Sequence, residues 1–199
     1  MATQKIAGRG ESFTEQARRA QLIGITRNLI AERGHRGTSL QSIADAAGIT
    51  KAAVLYYFPT KAAVIEAAYG EVVAALARDV GAAVEAAAPG HEPAAYIRAM
   101  VHHLHEHPQH TRIFAEAVLH DERPHSRKER WQPLAALIET AAGQDAVDAR
   151  DARATAIIIG GAIDGIIAEQ LDDPDFDSGH AAEVLIAMLP GASNAATES

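Results

Sequence analysis

Residues 37–61 read GTSLQSIADAAGITKAAVLYYFPTK, and the placing of their polar and small residues decides the fold. Thr38 or Ser39 can cap a helix over about 40–46, because a hydroxyl just before an apolar-periodic run accepts from the first unpaired N–H groups of the helix. Thr50 can do the same for a second helix over about 51–57. Pro59 disfavours helical geometry at Phe58, so that helix must stop. Gly48 supplies the turn between the two. Ala44 supplies the small residue that steeply crossing helices need where they touch, while Ile43 and Val54 fall in the seam beneath. The stretch predicts a helix-turn-helix, a shape suited to the DNA major groove; a plain helical corner is the alternative.

Upstream, Leu22, Ile25, Leu29 and Ile30 fall on one helical face and predict a helix from near Phe13 to Arg33, closed by Gly34. Downstream, a long helix is expected from Thr60 to about Ala88. After PGHEP the text again reads as helices, broken at HP (107–108), DERPHS (121–126), GQDAVD (143–148) and DDPDFDSG (172–179). No segment alternates as a strand does, so the expected class is all-α. The expected divisions are a flexible arm over 1–12, a helix-turn-helix domain over 13–59, a larger domain over 60–190 and a flexible tail over 191–199.

Hydrophobic residues make up 48% of the 199 and charged residues 22%, enough apolar material for real cores. There is no cysteine, which removes disulfide frameworks, thiolate nucleophiles and cysteine-ligated metals together. The N-terminus lacks a signal-peptide core, and the strongest apolar run, AIIIGGAIDGIIA, is short and carries Asp164. A cytoplasmic protein without a membrane span is expected. Charge is unevenly placed: residues 1–70 hold nine Lys/Arg against five Asp/Glu, or +4 within a total of −8, which leaves −12 for the remainder. Such asymmetry sets an anion-facing part against a solvated one.

The longer string GTSLQSIADAAGITKAAVLYYFPTKAAVIEAAY resembles the DNA-binding segment of the TetR family of bacterial transcriptional regulators. The resemblance rests on Gly37–Thr38, Ile43–Ala44, Ala47–Gly48–Ile49–Thr50, Tyr56–Tyr57, Phe58 and Lys61, and it covers about residues 13–70. It implies that Thr38, Ser39, Thr50 and Lys51 present hydroxyls, N–H groups and a positive charge to phosphates, with Tyr56 and Lys61 as further phosphate contacts. Base readout would fall to the helix over 51–57, with Ala52 and Ala53 offering methyl contacts and Lys51 and Tyr57 polar ones. Val54 and Phe58 are expected in the core. Lys5 and Arg9 of the arm could reach a minor groove, although a free solvated tail is the simpler reading.

One such module makes few contacts, whereas two related by a dyad bind half-sites about one helical turn apart. The candidate dimer surface is the pair of helices over about 148–170 and 179–189: Ile157, Gly161, Gly165 and Ala168 on the first, Val184, Leu185 and Met188 on the second. The resemblance implies that these build a four-helix dimer core. It also places an effector cavity over 93–170, for which Tyr96, Met100, His103, Phe114, Trp131 and Asp164 are the candidate lining. The expected protein is a homodimeric repressor released from a palindromic DNA operator by a small-molecule effector, without cofactor or metal. The competing class is a helical enzyme, or a metal-responsive protein using VHHLHEHPQH (101–110). No Gly-x-Ser-x-Gly elbow, Walker loop or dinucleotide fingerprint supports catalysis. His103 and His107 share a helical face, but Pro108 is expected to end that helix and spoil the pair as metal ligands.

Overall fold

A computed structural model describes residues 12–119, 127–141 and 148–189, with side chains left undescribed over 116–130. The helices are α1 (Phe13–Gly37), α2 (Leu40–Ala47), α3 (Lys51–Tyr57), α4 (Lys61–Glu85), α5 (Glu92–Glu106), α6 (Pro108–Leu119), α7 (Arg127–Ala141), α8 (Ala149–Asp172) and α9 (Ser178–Ala187). No strand occurs among the described residues, and the chain is all-α as its periodicity predicts. Residues 1–11 of the arm, the tail, the break at 121–126 and residues 143–147 of GQDAVD lie outside the described residues.

Each helix of the N-terminal unit starts and stops on a local device. Ser12 opens α1 with a capping box, its Oγ accepting from Glu15 N–H while Glu15 accepts from Ser12 N–H at 2.8 Å. Gly34 breaks α1 with φ 70° and ψ 172°, and one more turn follows to Gly37, so the expected stop is a kink rather than an end. Ser39, not Thr38, caps α2. Gly48 then turns left-handed, and the bonds Gly48 N–H to Asp45 O and Ile49 N–H to Ala44 O complete a Schellman motif. Thr50 caps α3 by accepting from Ala53 N–H at 3.1 Å.

Leu22, Leu29, Ile43, Ala44, Val54, Phe58 and Val64 close over one another as the core of this unit. Thr26, also buried, satisfies its hydroxyl by donating to Leu22 O at 2.8 Å. Val64 of α4 belongs to this core, and the chain divides into two compact units between Glu71 and Val72, inside α4, where the expected helix-turn-helix domain was given as 13–59.

The second unit is built on α8. Ala152, Ala156, Ile159, Ile163 and Ile167 recur at spacings of four and three and form one stripe. Ile97, Val101 and Leu104 of α5, Leu134 and Ile138 of α7, and Ala182, Leu185 and Ile186 of α9 complete that core. By length and composition α8 is apolar enough to cross a membrane, yet this stripe lies in the core and Asp164 interrupts it half-buried.

Candidate nucleic-acid interface

Helix α3 is short, so its tertiary base must hold it. Val54 and Phe58 are fully buried beneath it, and Arg19 of α1 lays its guanidinium over the Phe58 ring at 4.3 Å while donating to Tyr57 O, a helix-end carbonyl with no partner inside α3. Lys61 performs a related task, its ammonium donating to His35 O at 2.8 Å and so tying the start of α4 to the end of α1. Thus pinned, α3 exposes Thr50, Lys51, Ala52, Leu55 and Tyr56 and carries no acidic residue. It offers a solvated cation, hydroxyls and methyl groups to a polyanion.

Tyr56 is 72% exposed, and its hydroxyl donates to Glu15 at 3.2 Å. That bond raises the Tyr56 pKa, with the negative charge of Glu15 adding to it. The Glu15 carboxyl is held below its ordinary value, first by the Ser12 N–H, then by the Ser12 hydroxyl and Tyr56.

The sequence-predicted contacts fall into two groups. Ser39, Thr50, Lys51, Ala52 and Tyr56 are exposed, and Ala53 is half-buried. Thr38 differs: it is buried in the α1–α2 corner, donating to Gly34 O at 3.0 Å, because the extra turn of α1 carries it inward. Tyr57 differs too, since it packs half-buried against the core with Tyr56 edge-on to it at 5.0 Å. Lys61 has one of its three donors committed to His35. Sequence reasoning missed Arg19 and Glu15. Neither lies near α3 in the chain, although the S-x-x-E spacing of Ser12 and Glu15 was a readable cap signal.

In the second unit, Tyr96, Met100, Phe114 and Trp131 pack part-buried against the α8 core, and the Arg153 guanidinium lies over Trp131 at 4.8 Å. The open cleft of about 560 Å³ is elsewhere, lined by Asp79, Ala83, Ala95, Arg98, Ala99, His102, His103, Glu106 and His107. Of the six candidate effector residues, His103 alone lines it. Asp79 was missed because it stands 24 residues before its partner His103. The expected loss of the His103–His107 pairing is corrected. α5 does end at Glu106, but the N–H of His107 bonds His103 O at 3.0 Å, and the two rings lie 4.5 Å apart. Pro108 becomes the first residue of α6, where its missing N–H costs nothing.

Of the candidate dimer residues, Ile157, Gly161, Gly165, Ala168, Val184 and Met188 are exposed, Met188 at 72%. Leu185 differs, being 7% exposed within the core of its own chain.

Residues 22–68 match the family model described as bacterial regulatory proteins, tetR family. The HTH-type transcriptional regulator RutR of Escherichia coli K12 is 29% identical over 103 residues, 52% of this chain and 49% of RutR. The transcriptional repressor KstR2 of Rhodococcus jostii RHA1 is 38% identical over 52 residues, 26% of each chain. The match thus spans about half, or less, of the length of these curated relatives. Among solved structures, the fatty acid degradation regulator FadR of Bacillus halodurans superposes with a TM-score of 0.71 at 16% identity, covering 92% of this chain and 98% of that one. A TetR-like transcriptional regulator from Rhodococcus sp. RHA1 gives 0.67 at 16%, covering 90% and 95%. These relatives are transcriptional regulators and not enzymes. Residues 22–68 thus carry the signature of the tetR family of bacterial regulatory proteins, and the chain as a whole shares its fold with TetR-like transcriptional regulators.

Proposed function

We propose that the protein is a homodimeric, effector-responsive repressor acting on DNA in the cytoplasm. The exposed face of α3 carries this reading: Thr50, Lys51 and Tyr56 stand over a base sealed by Val54 and Phe58. A face so composed and so fixed fits the major groove, with Lys51, Thr50 and Ser39 against phosphates and Ala52, Ala53 and Leu55 against base methyls. Lys61 and Tyr57 act mainly by holding α3 in place. Thr38 acts through the corner that it fills.

The dimer forms through the uncovered face of α8 and α9, where Gly161, Gly165 and Ala168 let a second copy approach and Ile157, Ile158, Val184 and Met188 supply apolar area. The effector is held in the second unit near Tyr96, Met100, Phe114, Trp131 and Asp164. Binding there alters the separation of the two α3 helices and lowers operator affinity. Footprinting across the DNA flanking the coding region tests the reading. A protected site with two-fold symmetry, needing roughly tenfold more protein in Lys51→Ala, is expected. Uniform coverage without a protected site would overturn it.

A further inference from the structure

We propose that Asp79, His103 and His107 form a binding site for a divalent transition-metal ion of the zinc class, open to the cleft of the second unit. One carboxylate oxygen and two imidazole nitrogens of these residues all lie within 4.8 Å of one another. Nδ1 of His103 stands 2.6 Å from Oδ2 of Asp79, and the rings of His103 and His107 are 4.5 Å apart. Ligand atoms at tetrahedral zinc are separated by roughly 3.3 Å, given metal–ligand bonds of about 2.0–2.2 Å. The cluster needs only small rotations to reach that spacing. Burial decides which groups rotate: His103 is 3% exposed and fixed, whereas Asp79 and His107 are exposed and able to adjust.

A single ion takes one nitrogen of His103. Nδ1 faces Asp79, itself a lining residue of the cleft, while Nε2 faces Nδ1 of His110 at 3.0 Å. With the ion bound, Nε2–H donates to His110, which sets the tautomer and aims the Nδ1 lone pair at the metal, as outer partners of ligating histidines do. Without the ion, a proton fills the space between Nδ1 and the carboxylate.

Two imidazoles and a carboxylate form a donor set for zinc, cobalt, nickel or copper, in contrast to the all-oxygen sets preferred by calcium and magnesium. Three protein ligands leave a coordination position open, here toward the cleft, where His102 and Glu106 also stand. The helix break at His107–Pro108 helps to build the site: His107 stays over His103 at the end of α5, and the first turn of α6 brings His110 back to the same ring, 5.2 Å from centre to centre. The alternative is a hydrogen-bonded histidine cluster that holds no metal.

The test uses the full chain without a polyhistidine tag, stripped by chelator, titrated with cobalt(II) chloride by visible absorption and then challenged with zinc(II) chloride. One cobalt per chain is expected, with d–d bands of low coordination number and displacement by zinc. Asp79→Asn and His107→Gln, both at exposed positions and checked for folding by circular dichroism, should each weaken binding at least about tenfold. His110→Gln should weaken it by roughly tenfold. His102→Gln and His105→Gln should bind as the unaltered chain does. No cobalt spectrum, or undiminished affinity in both Asp79→Asn and His107→Gln, would overturn the proposal. No step requires DNA, so the outcome is independent of the repressor reading.

Discussion

On α3 the uncovered side chains are Lys51, Ala52, Leu55 and Tyr56; on α8 and α9 they are Ile157, Ile158, Val184 and Met188, with Gly161, Gly165 and Ala168 among them. Both faces lie over sealed cores, yet they call for opposite partners. The first presents a cation and hydroxyls, whose attraction to phosphate is long-ranged and weakened by salt. The second presents branched apolar groups and a 69% exposed Ile158, whose removal from water is short-ranged and nearly indifferent to salt. The net charge of the chain follows the same division, +4 in residues 1–70 against −12 in the rest. The acidity of the whole therefore says little about its fitness for DNA.

Substitutions break this comparison one face at a time. Phe58→Ala should do most, costing about 3–5 kcal/mol of stability by leaving a cavity under α3 and removing the surface on which Arg19 lies. Chemical denaturation reads it, and DNA binding should disappear with the fold of the first unit. Ile158→Glu should leave that unit intact while weakening self-association at least about 100-fold, because each copy would bury an unpaired carboxylate. Analytical ultracentrifugation measures it, and unchanged self-association would mean that this face is not the dimer surface. Lys51→Ala should do the reverse, leaving self-association unchanged. DNA affinity should fall by roughly tenfold, and the slope of log affinity against log salt should flatten by about 2, one for each copy.

Glu15→Gln is expected to be the mildest change. It removes a negative charge beside the Tyr56 hydroxyl while retaining an acceptor for the Ser12 N–H, so DNA binding should tighten by a small factor, on the order of twofold. The same carboxyl sets a pH window. Its folded-state pKa lies below the ordinary 4.5, so its contribution to the α1 cap is fully present above pH 4.5 and is lost only as the pH falls through the lower folded-state value.

The first unit was legible because its determinants are local. Gly48, Thr50 and Pro59 set turn, cap and stop within a few residues of where they act, and α3 falls over Lys51–Tyr57 as those residues predict. Gly34 likewise marked the break in α1, but whether a further turn follows depends on packing that puts Thr38 inside. What could not be read was tertiary. Lys61 reaches back 26 positions to His35, Arg19 reaches forward 38 to Tyr57, and Asp79 meets a histidine two helix ends away. Apolar residues of the second unit were assigned in kind but not in direction: Leu185 and Val184 are neighbours in the chain, and the helix turns one into its own core and the other outward. Tyr57 and Tyr56 part in the same way.

The claim that joins the two faces is that a symmetric dimer presents two α3 helices to one duplex. Selection of bound DNA from a randomised duplex pool by the full chain tests it most directly. An enriched inverted repeat whose half-sites are centred about one helical turn apart is the predicted result. Enrichment of a single unrepeated motif, or none at all, would contradict it.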